Sequence, residues 1–176
     1  GKIGTAGGTG YALEYTGEAV RGLDMEGRMT LCNLSIECGA KVGMVAPDET
    51  TFSWLEGRRH APKGETWRQA VAFWRTLATD PGARYDAEVT IACAQLAPHV
   101  TWGTSPEQVL RIDARVPVPA DAPDDMHRKS WTEALDYMGL EPGQAIAGTR
   151  IDRVFIGSCT NSRLPDLRRA AEVVKG

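Results

Sequence analysis

The chain has 176 residues, of which 42% are hydrophobic and 24% charged, and its formal net charge is −3. This composition is typical of a globular protein with a core, and its length fits one large domain or two small ones. The mild acidity gives no electrostatic basis for binding nucleic acid. No apolar run approaches the roughly 20 residues that a membrane span needs. These features exclude a nucleic-acid-binding protein and a membrane protein.

The four cysteines are too sparse for a disulfide scaffold, and none forms a C-x-x-C pair. We therefore predict reduced thiols and a cytoplasmic protein. Cys32 and Cys38 are six residues apart, about 240° of helical rotation, so they cannot chelate one metal together. The chain starts without an initiator Met or a secretory h-region, so we expect a fragment or a processed chain.

Residues 1–10 form a glycine-rich lead-in that fits neither common nucleotide-binding motif. We expect these glycines to provide positive φ angles or close packing. Residues 11–20 are predicted to form an edge strand, a turn at Gly17 and a short helix.

Residues 25–40 give the strongest helical pattern of the first half. Leu31, Leu34 and Cys38 recur at spacing that predicts a core-facing stripe, and Gly39 fits a C-terminal cap. Two further short elements should follow: a strand at 42–45, and a helix that Asp48 opens as its N-cap.

Asn33 and Glu37 lie at i, i+4 on a different face of this predicted helix. Spacing alone allows a solvated helix face or a pair of polar groups directed into a cleft. The sequence leaves both interpretations open.

The next predicted elements are an amphipathic helix over 67–78 and a strand over 88–94 that buries Cys93. The proline-rich, charged segment 113–129 is predicted to be a linker between domains. A capping box at 130–133 should start the next helix, over 131–138. The predicted organisation is a domain at 1–112, the linker, and the start of another domain at 130–176.

A strand over 150–156 is predicted to deliver Cys159 to the front of a helix that begins at Leu164. The predicted buried stripe of that helix consists of Leu164, Leu167, Ala171 and Val174. Ligands in α/β folds bind at such strand ends. The Cys159 thiol can be a buried structural group, a nucleophile or a metal ligand. A nucleophile needs a base, and the three histidines lie in loop-like stretches: His60, His99 and His127.

Five motifs are similar, in the same order, to the large subunits of 3-isopropylmalate dehydratases in the aconitase superfamily. They lie at residues 4–10, 26–40, 46–51, 100–106 and 154–162. This resemblance covers essentially the whole chain. It implies an α/β protein with aconitase-like three-layer α/β/α domains, of which the chain covers one domain and the start of the next.

The family resemblance also implies a [4Fe–4S] cluster held by three cysteines. Cys159 matches the first, and the C-x-x-C that supplies the other two lies beyond this sequence. Asn33 and Glu37 match a helix beside the open iron of the cluster. With Cys159 alone, we expect the chain neither to hold a stable cluster nor to be active.

The implied reaction is the isomerisation of 2-isopropylmalate to 3-isopropylmalate by dehydration and rehydration, in leucine biosynthesis. The family resemblance implies a separate small subunit as the partner. Two alternatives stay open. One is a homoaconitase-like or aconitase-like dehydratase of another 2-hydroxy acid, and the other is a non-catalytic binding module in which Cys159 is structural.

Overall fold

The computed structural model describes residues 2–175. Its helices are α1 (Glu18–Arg21), α2 (Met25–Glu37), α3 (Glu49–Leu55), α4 (Gly64–Trp74), α5 (Asp125–Met138) and α6 (Leu164–Val174). Its strands are β1 (Ala12–Glu14), β2 (Val42–Met44), β3 (His99–Thr101) and β4 (Val109–Arg111). Helices and strands are mixed along the chain, as the sequence predicts. None of the helices in this part of the chain has the length and apolar character that crossing a membrane requires.

The chain divides into two compact units. The first unit contains Gly1–Gly7 and Ala92–Phe155, and the second contains Gly8–Ile91 and Ile156–Gly176. The proline-rich segment 113–129, predicted as an interdomain linker, lies inside the first unit. Its Val116 is buried in the core of that unit and donates a backbone hydrogen bond to Gln144 O. The assignment of aconitase-type domains to the ranges 1–112 and 130–176 stays a prediction.

A β-α-β arrangement organises the second unit. Strands β1 and β2 pair in parallel with Ala12 opposite Val42, and helices α1 and α2 connect them. Helix α2 packs closely on β2, because Ser35 is fully buried against Gly43. The Ser35 hydroxyl also lies 2.8 Å from Tyr15 Oη.

The ends of α2 are set by its capping residues. Asp24 accepts a hydrogen bond from Gly27 N at 2.8 Å, and Gly39 follows the helix with φ 83°. That φ is unfavourable for any residue with a Cβ, so the predicted glycine cap is confirmed. The predicted apolar stripe is wrong, because Leu34 is 46% exposed while Arg28 and Ser35 are buried. Burial follows the contact with β2 and not the apolar spacing.

The next two helices confirm the predicted pattern. Asp48 caps α3 by accepting hydrogen bonds from Thr50 N and Thr51 N. Helix α4 ends at Trp74 and continues as a 3₁₀ turn to Leu77. Its aromatic rings pack locally, with Trp67 edge-on to Trp74 and Phe52 stacked on Trp74.

The core of the first unit is small and apolar. It consists of Trp102, Val116, Ala134, Leu135 and Leu140. Strands β3 and β4 form an antiparallel pair beside it. Helix α5 begins at Asp125, six residues earlier than predicted, because Asp124 caps it by accepting from His127 N. An aspartate at this position satisfies the first-turn donors before Ser130 is reached.

Two predicted strands are absent from the described residues. Residues 88–94 are irregular and lead into a 3₁₀ turn at Cys93–Gln95, where Cys93 is exposed and not buried. Residues 150–156 are also irregular, and Phe155 is 90% exposed. A β-strand exists only by pairing with a neighbour, and residues 150–156 pair with no strand in residues 2–175. Helix α6 forms as predicted, but its predicted buried stripe is exposed, including Leu164, Leu167 and Val174.

Candidate functional site

The loop of residues 158–163, here called the Cys159 loop, is closed by its own small polar side chains. Ser158 N donates to Ser162 Oγ at 2.9 Å, and Thr160 N donates to Ser158 Oγ at 3.1 Å. These bonds bend the backbone around Cys159, whose thiol is exposed. Ser162 has φ 136°, a backbone conformation that residues other than glycine rarely adopt. The surrounding hydrogen bonds hold this strained backbone in place.

Asp166 joins the Cys159 loop to the start of α6. One of its oxygens accepts from Arg163 N at 3.0 Å and from Ser162 N at 3.3 Å. A carboxylate in the first turn satisfies unpaired backbone donors and interacts favourably with the helix dipole. These bonds therefore fix the junction between the Cys159 loop and α6.

The Cys159 loop contacts α2 through Thr30. Thr30 Oγ lies 2.5 Å from Asn161 Oδ1, and Arg163 Nη1 donates to Thr160 O at 3.0 Å while lying 3.5 Å from Thr30 Oγ. A second link forms further along, where Arg169 of α6 pairs with Asp24 at 3.0 Å. Both links lie within the second unit.

The contacted face of α2 also carries the two predicted catalytic residues. Thr30, Asn33 and Glu37 are spaced so that they lie within about 60° of one another around the helix axis. Asn33 and Glu37 are both exposed. The structure thus brings the Cys159 loop to the helix face that presents an amide and a carboxylate.

Sequence reasoning missed Thr30, Asn161 and Arg163. Thr30 precedes Asn33 by three residues and Glu37 by seven, and this helical spacing is the signal from which its place on the same face could have been predicted. Nothing in the sequence indicated the contact to Asn161, because the two residues are 131 positions apart.

The Cys159 loop supplies one cysteine for a cluster. Residues 2–175 contain no group of three or more His, Cys, Asp or Glu side chains placed to hold a metal ion. Burial raises the pKa of the Cys32 thiol, which disfavours the thiolate that binds metal. Cys159 fits one ligand position of an iron–sulfur cluster, and the set needed to hold the cluster is not complete in this part of the chain.

Two of the three candidate bases are engaged by neighbours in the first unit. His127 Nδ1 lies 2.8 Å from the Asp124 carboxylate, and His99 Nδ1 lies 2.6 Å from Ala97 O. Both contacts are local, within three residues along the chain. They give these histidines a structural explanation.

A separate cavity of about 410 Å³ lies in the second unit, between the β1 end and the start of α3. Its wall includes a salt bridge in which Arg28, 3% exposed, binds Asp48 at 2.6 Å and 2.9 Å. A second carboxylate of the wall, Glu14, accepts hydrogen bonds from Thr79 and Tyr85. Asp48 and Glu14 therefore take part in contacts within the protein that hold this part of the wall together.

The chain belongs to the aconitase family. The family model for aconitases (aconitate hydratase) matches residues 1–176, which confirms the family resemblance seen in the five motifs.

Within that family, the chain is similar to a dehydratase subunit. It is 60% identical over all 176 residues to 3-isopropylmalate dehydratase large subunit 1 of Bradyrhizobium diazoefficiens. The chain spans 37% of the length of that relative.

Proposed function

We propose that this chain is part of a [4Fe–4S] hydro-lyase that converts 2-isopropylmalate to 3-isopropylmalate in leucine biosynthesis. The observation that carries the proposal is the 60% identity to a 3-isopropylmalate dehydratase large subunit along the full chain. The arrangement of the Cys159 loop beside the Asn33 and Glu37 face of α2 supports it, because the chemistry needs a metal ligand and proton-handling groups close together.

In this proposal Cys159 is one of three cysteine ligands of the cluster. Its exposed position in a hydrogen-bonded loop fits that role, and the other two ligands lie outside this chain. When bound, the cluster supplies an open iron that acts as a Lewis acid toward the substrate. Because the Cys159 loop offers a single cysteine, we propose that the chain alone holds no stable cluster and is inactive.

Asn33 and Glu37 are the proposed catalytic residues of this chain. Hydroxide is a poor leaving group, so the departing substrate hydroxyl must be protonated. The Glu37 carboxyl group is suited to give its proton to the departing hydroxyl, which leaves as water, while the proton on the neighbouring carbon goes to a base that the rest of the enzyme supplies. In the rehydration step the Glu37 carboxylate takes a proton from the water that adds, and that base returns a proton to carbon. The Asn33 amide, one turn away, is suited to bind a substrate oxygen and hold it in position.

The name of the relative, a large subunit, supports a small subunit as the partner of the whole enzyme. We propose that this partner completes the pocket for a 2-hydroxy acid and that the enzyme acts in the cytoplasm. We further propose that the whole protein has the three-layer α/β/α architecture, with the mixed helix and strand content of the chain as support.

Substitution of Glu37 in the complete enzyme tests this function. With the small subunit present and 2-isopropylmalate as substrate, Glu37→Gln should lower kcat by about 100-fold or more, since it removes the proton donor. The matched control is Glu26→Gln, which changes a carboxylate on the same helix face near the other end of α2. Equal activity of Glu37→Gln and the unmodified enzyme, or turnover only with a different 2-hydroxy acid, would contradict the proposal.

A further inference from the structure

We infer that Thr30 is a positioning residue that holds the Cys159 loop against the Asn33 and Glu37 face of α2. The inference rests on the proposed function only where it treats Cys159 as a cluster ligand. The contact itself is a property of the second unit.

The hydroxyl of Thr30 joins two parts of the chain. It lies 2.8 Å from Glu26 O within α2 and 2.5 Å from Asn161 Oδ1 in the Cys159 loop. The single proton of the hydroxyl is shared between these two acceptors, and the oxygen itself accepts from Arg163 Nη1 at 3.5 Å. Thr30 is therefore a hydrogen-bond donor to Asn161 and a hydrogen-bond acceptor from Arg163, both of which belong to the loop.

This contact determines where the loop sits on α2. Among residues 2–175, the side-chain hydrogen bonds from α2 to the Cys159 loop all involve Thr30. The bonds inside the loop fix its shape, through Ser158 and Ser162, but not its position on the helix. The Arg169–Asp24 pair reaches α6 and not the loop, and its arginine is 68% exposed, so solvent screens it.

The consequence for the site is geometric. Asn161 lies two residues from Cys159, and Thr30 lies three residues from Asn33, so their hydrogen bond joins the segment that carries the thiol to the helix that carries the amide. Loss of the Thr30 hydroxyl should free the loop to move relative to the catalytic face while leaving the helix intact. Reactions depend on positions held to within a fraction of an ångström.

The test uses the complete protein, prepared with a metal chelator, and three variants. Thr30→Val removes the hydroxyl at constant shape, and Thr30→Ser keeps it. The control Thr132→Val removes the same kind of bond in α5, where Thr132 Oγ donates only to Arg128 O within the helix. Two readouts are peptide-resolved: amide hydrogen exchange over 158–163, and the rate of alkylation of Cys159 by iodoacetamide.

We expect Thr30→Val to raise both rates roughly fivefold, the effect of losing one hydrogen bond on local opening. Thr30→Ser should restore them and Thr132→Val should leave them unchanged. If Thr30→Val leaves both rates unchanged, or if Thr132→Val raises them equally, the positioning role is refuted. These readouts need neither a cluster nor turnover, so their failure is distinct from failure of the proposed function, which the Glu37→Gln assay measures.

Discussion

Asp24 and Asp48 make the same two kinds of contact, but their arginine partners differ in burial. Each caps a helix by accepting backbone hydrogen bonds, and each pairs with an arginine. The arginine partner of Asp48 is Arg28, which is buried, whereas the partner of Asp24 is the exposed Arg169. A buried guanidinium has lost its water and depends on its carboxylate partner, so the two aspartates should differ in their contribution to stability.

Replacement of each aspartate by asparagine tests that difference. Asparagine remains a good N-cap, so the substitution mainly removes the charge opposite the arginine. We expect Asp48→Asn to lower the free energy of unfolding by about 2 kcal/mol, because Arg28 is left buried without its counter-charge. Asp24→Asn should cost less than about 1 kcal/mol, as is usual for an exposed pair. Urea denaturation followed by tryptophan fluorescence measures both values, and equal losses would contradict the role of burial.

The same pair gives a pH dependence with a defined sign. The hydrogen bond from Arg28 lowers the pKa of Asp48, and the backbone bonds from Thr51 and Thr50 also contribute. A lowered folded-state pKa means that the stabilisation is fully present above the unfolded value of about 3.9 and is lost as pH falls below it. The stability gap between the unmodified chain and Asp48→Asn should therefore be constant near pH 7 and shrink below about pH 4.

At the scale of elements, the contact between α2 and β2 has no spare volume. A Cβ added at Gly43 would lie 2.7 Å from Ser35 Cβ and 2.9 Å from Cys32 O. Both neighbours belong to the helix, and Ser35 is fully buried and bonded to Tyr15. Neither side can move without breaking this packing.

Gly43→Ala should therefore destabilise the second unit, by about 1–3 kcal/mol, the usual cost of overpacking. The matched control is Gly22→Ala, where the added Cβ meets only ordinary contacts, at 3.5 Å from Glu18 O and 3.6 Å from Ala19 O. Thermal unfolding monitored by circular dichroism should show a lower Tm for Gly43→Ala and little change for Gly22→Ala. A Gly43→Ala chain with unchanged Tm would show that the helix can shift away from the strand.

Two helix ends were predicted correctly because they are decided locally: Asp48 caps the start of α3, and Gly39 follows the end of α2 with a positive φ. The start of α5 was predicted six residues too late, because the cap at Asp124 was not recognised. Helix faces were less predictable: the apolar residues of α2 surround the helix, so spacing alone pointed to Leu34 while contact with β2 buried Ser35. The predicted strand at 150–156 failed for a related reason, because a strand requires a neighbour that the described residues do not provide.

The candidate site shows the same limit at the scale of the whole molecule. Cys159, Asn33 and Glu37 were found from motif resemblance, and their roles stay predictions. Thr30 and Asn161, which bring the two segments together, were not found, since a contact across 131 positions leaves no local pattern. Chemistry-bearing residue types are visible in a sequence, whereas the residues that position them become visible only in the fold.

The chain spans 37% of its dehydratase relative and carries one exposed thiol at the candidate site, which leads to a prediction about metal content. Iron–sulfur clusters are held by several cysteine thiolates, and burial raises the pKa of the α2 cysteine, Cys32, away from the thiolate form. After anaerobic incubation with iron and sulfide and then desalting, the 176-residue chain should retain no more iron than its Cys159→Ser variant.

The complete protein serves as the control, because it should retain a full cluster and lose it on the Cys159→Ser substitution. Its Cys93→Ser variant, which changes an exposed cysteine of the first unit, should keep the same iron content. Stoichiometric iron and sulfide on the chain alone, lost in its Cys159→Ser variant, would mean that its own residues complete the ligand set.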